Sequence, residues 1–104
     1  KKVQIVGVQP TEDSKIPGIR RWPKEYLPEI FDASKVDQII DVSEDQAREQ
    51  ARILAQKAGV FAGMSSGGAA FAALKLAKEL KKGVIVSIVC DRGDRYLSSD
   101  LFDA

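Results

Sequence analysis

Histidine is absent from the 104 residues, and cysteine, methionine and tryptophan occur once each. Without histidine, no Ser-His-Asp triad, Cys-His dyad or histidine metal site can be assembled within the chain. A lone cysteine, Cys90, excludes an intrachain disulfide, and an unpaired thiol fits a reducing compartment. The only methionine is Met64, so the sequence reads as a piece of something longer. No window approaches the roughly 18 consecutive apolar residues of a membrane span, and no signal peptide is expected at the start. Charge of one sign is missing too. Sixteen basic side chains face fifteen acidic ones, a net charge of +1, and bulk charge therefore gives no argument for nucleic acid or an anionic membrane.

What is present is globular in composition: 44% apolar and 30% charged residues, with eight glycines and four prolines. Size scaling for a closed domain of this mass gives about 5,700 Å² of exposed surface, with about 65% of the unfolded chain's surface buried.

Val3–Val8 is short and β-branched, which predicts a strand. The stretch Thr11 to Pro28 follows, proline-rich and without periodicity. It is long for a loop in a compact domain, and such loops tend to be functional or disordered. Val36–Val42 predicts a second strand. Ser43-Glu44-Asp45-Gln46 is a capping-box pattern that opens a helix with the stripe Ala47, Ala51, Leu54 and Ala58, closed by Gly59. Val60–Ala62 is a short extended piece. A turn at Gly63–Gly68 enters a second helix with the stripe Ala70, Leu74 and Ala77, Lys78, Lys81 and Lys82 near its negative end, and Gly83 to end it. Val84–Cys90 is almost continuously apolar, which predicts a strand buried on both faces. Alternating strands and helices predict an α/β fold, a three-layer open and mostly parallel twisted sheet.

In such sheets ligands bind beyond the carboxyl ends of the strands. Three segments stand there: the loop after Val8, the turn at Met64–Gly68 and the turn after Cys90. Gly63-Met64-Ser65-Ser66-Gly67 matches the G-x-S-x-G nucleophile elbow, but without histidine the serine lacks its general base. Two readings of the turn stay open. The helix amides and the hydroxyl of Ser65 or Ser66 could face a polar ligand atom, or the serine could simply cap the helix. Arg20 and Arg21 beside Trp22 could hold an anion, or pair as surface charges with Glu25 or Glu29. Asp91–Arg95 reads as a self-paired turn or a ligand rim, and Cys90 as a small buried hydrophobe.

Four strings carry a resemblance: Ile16-Pro17-Gly18-Ile19-Arg20-Arg21-Trp22-Pro23, Glu25-Tyr26-Leu27-Pro28, Met64-Ser65-Ser66-Gly67-Gly68-Ala69 and Cys90-Asp91-Arg92-Gly93-Asp94-Arg95-Tyr96-Leu97-Ser98. In this order and spacing they resemble the C-terminal part of the O-acetylserine sulfhydrylases (cysteine synthases) of the B type, within the fold-type II pyridoxal phosphate enzymes. The resemblance covers nearly the whole chain. It implies cysteine biosynthesis, the acetoxy group of O-acetylserine being replaced by sulfide or thiosulfate, with pyridoxal 5'-phosphate as cofactor in a cytoplasmic homodimer. Residues 1–104 would then be the C-terminal portion of a larger α/β domain. The family's Schiff-base lysine and phosphate loop match nothing here, so no catalytic residue is assigned and this segment alone is expected to be inactive. Ser65 matches the partner of the pyridine nitrogen. Cys90 and Asp91 fall near the pyridine edge, and Gly18, Arg20 and Arg21 match the substrate-facing loop, their charge suiting an anion such as thiosulfate. The non-enzymatic alternative is an α/β module that binds a nucleotide or a partner protein.

Overall fold

In a computed structural model, residues 3–103 are described. Two strands, β1 (Val6–Pro10) and β2 (Gln38–Val42), pair in parallel with Val6 opposite Gln38 and Pro10 opposite Val42. β1 begins and ends later than its apolar run, because the pairing follows β2 and carries on through Pro10. β2 is one-sided: Ile40 and Val42 are buried, while Ile39 and Asp41 face away.

Helix α1 (Glu44–Ala58) starts as its sequence dictates. Ser43 Oγ accepts from the Gln46 amide at 3.1 Å, and Gln46 Oε1 accepts from the Ser43 amide at 2.9 Å, while Gly59 in the left-handed conformation closes the helix. Helix α2 (Met64–Glu79) packs across α1 and against β2. Its buried face is not the expected Ala70–Leu74–Ala77 stripe, since Leu74 is 49% exposed. The face runs instead through Gly68 and Ala72, with Leu76 half-buried. Small residues are turned inward here because α1 comes very close. A Cβ on Gly67 would collide with the backbone of Ala47 and Ala51. α2 also ends at Leu80 rather than at Gly83, leaving Lys81 and Lys82 beyond it.

The Val84–Cys90 expectation is overturned most clearly. No strand forms there, and Val84, Val86 and Ile88 are 92%, 88% and 72% exposed. Apolar character marks a segment that can be buried on both faces, but nothing else among the described residues lies alongside it to do so. Cys90, expected to be buried, is exposed for the same reason. The surface is 7888 Å², well above the roughly 5,700 Å² of a closed domain of this mass. The described residues form the parallel pair and its helices, consistent with an α/β fold, and leave the Val84–Cys90 segment open.

The C-terminal turn folds back onto α1. Leu101 is 1% exposed in the core, Arg52 Nε donates to its carbonyl at 2.6 Å, and Arg48 pairs with Asp100 at 2.6 Å. The Arg48 hydrogen bond holds the Asp100 carboxyl below its ordinary value. A depressed carboxylate stabilises the fold above its unfolded-state value, and this is lost as pH falls through the folded-state value. Arg48→Ala is therefore expected to flatten the acid limb of the stability–pH curve; an acid limb equal to the parent's would remove the clamp. Leu101→Ala is expected to cost about 2–4 kcal/mol in urea unfolding, and a loss below about 1 kcal/mol would show that the turn does not complete the core.

Candidate functional site

Gly63, not a serine, caps α2, and no side chain caps the helix. Ser65 and Ser66 lie inside the first turn, 5% and 2% exposed. Their hydroxyls differ in employment. Ser66 Oγ accepts the Cys90 amide at 2.9 Å and ties the apolar segment's end to the helix. Ser65 Oγ has no hydrogen-bond partner among the described residues. The expectation that a serine caps α2 fails because the chain enters from the Ala62–Arg92 bridge and starts the helix one residue ahead of both hydroxyls.

The turn after Cys90 interlocks with that entry. Gly93 N donates to Phe61 O at 2.8 Å, and Gly63 N donates to Asp91 O at 3.3 Å. Asp91 Oδ2 accepts from Tyr96 Oη at 2.7 Å, with Arg95 at 3.9 Å, while Oδ1 is buried without a partner. Arg92 and Asp94 pair at 3.3 Å, as a self-paired turn requires. Gly63 must be glycine for room: a Cβ there would strike Asp91 Oδ1 and the Tyr96 ring. Burial first, and the Asp91 hydrogen bond second, push the Tyr96 phenol up from its ordinary value. Tyr96 was not among the residues the sequence singled out. An aromatic five positions beyond an aspartate carries no signal until the turn brings them together.

The loop after β1 is ordered by local ties. Thr11 N donates to Val42 O at 3.0 Å, Ser14 Oγ accepts the Glu44 amide at 2.9 Å, and Ile16 is buried in the core. Gly18, at φ 92°, rests on Ser65; a Cβ would lie 3.1 Å from Ser65 Cβ and 3.2 Å from Oγ. The arginines diverge. Arg21 pairs with Asp41 at 3.0 Å and donates to Pro10 O at 3.1 Å, so it latches the loop to the strand ends and does not pair with Glu25 or Glu29. Arg20 has no ion pair among the described residues; its guanidinium sits 5.7 Å from the Trp22 ring centroid. Gly18, Arg20, Arg21 and Trp22, with the rest of the loop, line an open groove of about 720 Å³, whose lining does not include Ser65. Gly18 and Ser65 are thus brought together, as are Ser66 and Cys90. Asp91 stands beside Gly63 at the same helix entry, and the arginines lie on the groove side.

The Ser65 hydroxyl, without a partner among the described residues, at a helix start and close against a glycine, is a neutral group able to donate to an unprotonated aromatic nitrogen without supplying charge. Among the described residues no group of acidic or cysteine side chains could hold a metal ion, and no helix is long and apolar enough to cross a membrane.

Parallel pairing, helices against the sheet and polar turns gathered beside the α2 entry define the class as α/β. The sequence pattern of the pyridoxal-phosphate dependent enzymes matches residues 1–91, and the chain belongs to that family. It is 59% identical to cysteine synthase B of Pseudomonas aeruginosa over 97% of this chain and 34% of that protein. With cysteine synthase B of Escherichia coli the identity is 56%, over 98% and 34%. Among solved structures it is similar to a cysteine synthase of Entamoeba histolytica, with a TM-score of 0.89 and 35% identity over 100% of this chain and 34% of that one. The chain thus spans about a third of the length of the curated relatives it matches.

The two serines are expected to separate on substitution. Ser66→Ala leaves the Cys90 amide without its acceptor and should cost about 1 kcal/mol, with faster exchange of that amide, whereas Ser65→Ala should be near neutral in the unliganded protein. Equal costs measured by urea unfolding would contradict this division.

Proposed function

We propose that this chain is the pyridine-side wall and substrate loop of a cysteine synthase, the C-terminal portion of its cofactor-binding α/β domain. In the intact protein the acetoxy group of O-acetylserine is replaced by sulfide or thiosulfate, in a cytoplasmic homodimer. The Ser65 hydroxyl, on a residue only 5% exposed and without a hydrogen-bond partner among the described residues at the α2 entry, carries this reading, together with the identity to the cysteine synthase B proteins. When bound, pyridoxal phosphate supplies an electron sink for reactions at the α and β carbons of an amino acid. Ser65 would donate to the ring nitrogen. A neutral donor leaves that nitrogen unprotonated, which makes a milder sink than a carboxylate partner would. That suffices where the β-substituent is a good leaving group. Gly18, whose missing Cβ would meet Ser65, lies directly beside that hydroxyl. Cys90, through its backbone, and Asp91 hold the turn beside it.

On the loop, the structure supports unequal roles for the two arginines. Arg20 keeps its guanidinium uncommitted on the groove side and is the group offered to an anionic sulfur donor. Arg21 has its charge answered by Asp41 and keeps the loop in place. The Schiff-base lysine and phosphate loop would come from the remaining two-thirds of the protein, as would the strands flanking Val84–Cys90. This segment alone would be inactive.

In the intact protein, Ser65→Asp is expected to change the cofactor's absorption spectrum and lower turnover, and an unchanged spectrum and rate would sink the assignment. Arg20→Ala should raise KM for thiosulfate about tenfold more than for sulfide, the loss of one charge-assisted contact. Arg21→Ala should impair both donors alike by loosening the loop. Equal effects of Arg20→Ala on both donors would remove its role in anion recognition.

A further inference from the structure

We propose that Tyr96 is a positioning residue for this site: with Asp91 it holds the entry of α2, and through it Ser65, in place. The proposal rests on the reading of Ser65 given above. Three contacts converge on Gly63, two residues before Ser65. Its amide donates to the Asp91 carbonyl, the Asp91 carboxylate lies against its Cα, and the Tyr96 ring fills the space where a Cβ would be. The Tyr96 hydroxyl then fixes the carboxylate by donating to Oδ2 at 2.7 Å.

The other carboxylate oxygen, Oδ1, is buried with no partner, a cost on the order of 1–3 kcal/mol for an acceptor taken from water. A group kept at such a cost beside the positive end of a helix is placed for its position and charge. Tyr96 makes that placement stable. Burial and the Asp91 contact push its phenol up, so it remains a protonated donor through neutral pH. Loss of the hydroxyl alone leaves the ring packing intact and frees the carboxylate to swing from Gly63, and the first turn of α2 loses its stop.

The test uses the intact holoprotein and the variants Tyr96→Phe, Asp91→Asn and their combination. Emission of the bound pyridoxal phosphate, kcat, KM for O-acetylserine and Tm are read for each. Tyr96→Phe is expected to shift the emission and lower kcat about tenfold, with KM changed less than about twofold, as expected for one charge-assisted hydrogen bond. In the Asp91→Asn background the same change should add less than about twofold, because the two groups act as a unit. Parent-like emission and kcat in Tyr96→Phe, or a full additional loss on top of Asp91→Asn, would overturn the proposal. Should Tyr96→Phe not fold, Asp91→Asn alone must give the emission shift, and its absence overturns the proposal equally. A parent protein without bound pyridoxal phosphate would overturn the functional reading and this proposal with it; a normal parent with a silent Tyr96→Phe overturns only this one.

Discussion

Where α1 crosses the first turn of α2, there is no room for a side chain at Gly67, whose missing Cβ would meet the backbone of Ala47 and Ala51. This close approach sets the position of everything at the α2 entry. Interiors are packed densely enough that such a contact admits little slack. α2 cannot slide along α1, so Ser65 and Ser66 are held against the end of the sheet. Ile19 then seats over Gly68 and brings the loop with it, placing Gly18 on Ser65.

The same turn is held from the other side by a polar interlock. Ser66 accepts the Cys90 amide, Gly63 donates to Asp91, and Tyr96 donates to the Asp91 carboxylate. Packing from α1 at Gly67 and hydrogen bonds from the 90–96 turn at Gly63 and Ser66 hold the start of α2 and leave the Ser65 hydroxyl unengaged. That is an economical way to present a neutral donor. The backbone and Ser66 carry the structural work, and Ser65 keeps its hydrogen-bonding capacity unspent among the described residues. The two arginines of the loop divide in the same manner, Arg21 spent on Asp41 and Pro10 and Arg20 left uncommitted.

Local signals were legible wherever local chemistry decided the outcome. The Ser43 capping box and the Gly59 closure read directly from four-residue patterns, because the interacting groups are neighbours in sequence. The α2 stripe misled because its buried face is chosen by the approach of α1, which favours small residues over the larger Leu74. The Val84–Cys90 run misled in another way. Its composition describes what the segment can be buried in, and the partners that would bury it are not among the described residues.

By itself, then, the sequence determined the class of fold, the family and the group of residues worth watching, because capping patterns and motif strings are local. It also removed the hydrolase reading of Gly63–Gly67 by its lack of histidine. Only the tertiary structure decided which serine is tied and which is open, which arginine latches the loop, and that Tyr96 bonds the Asp91 carboxylate at the α2 entry. Each of these is a question of which groups, 5 to 24 positions apart, come within a hydrogen bond of each other, and no spacing rule along the chain encodes that distance.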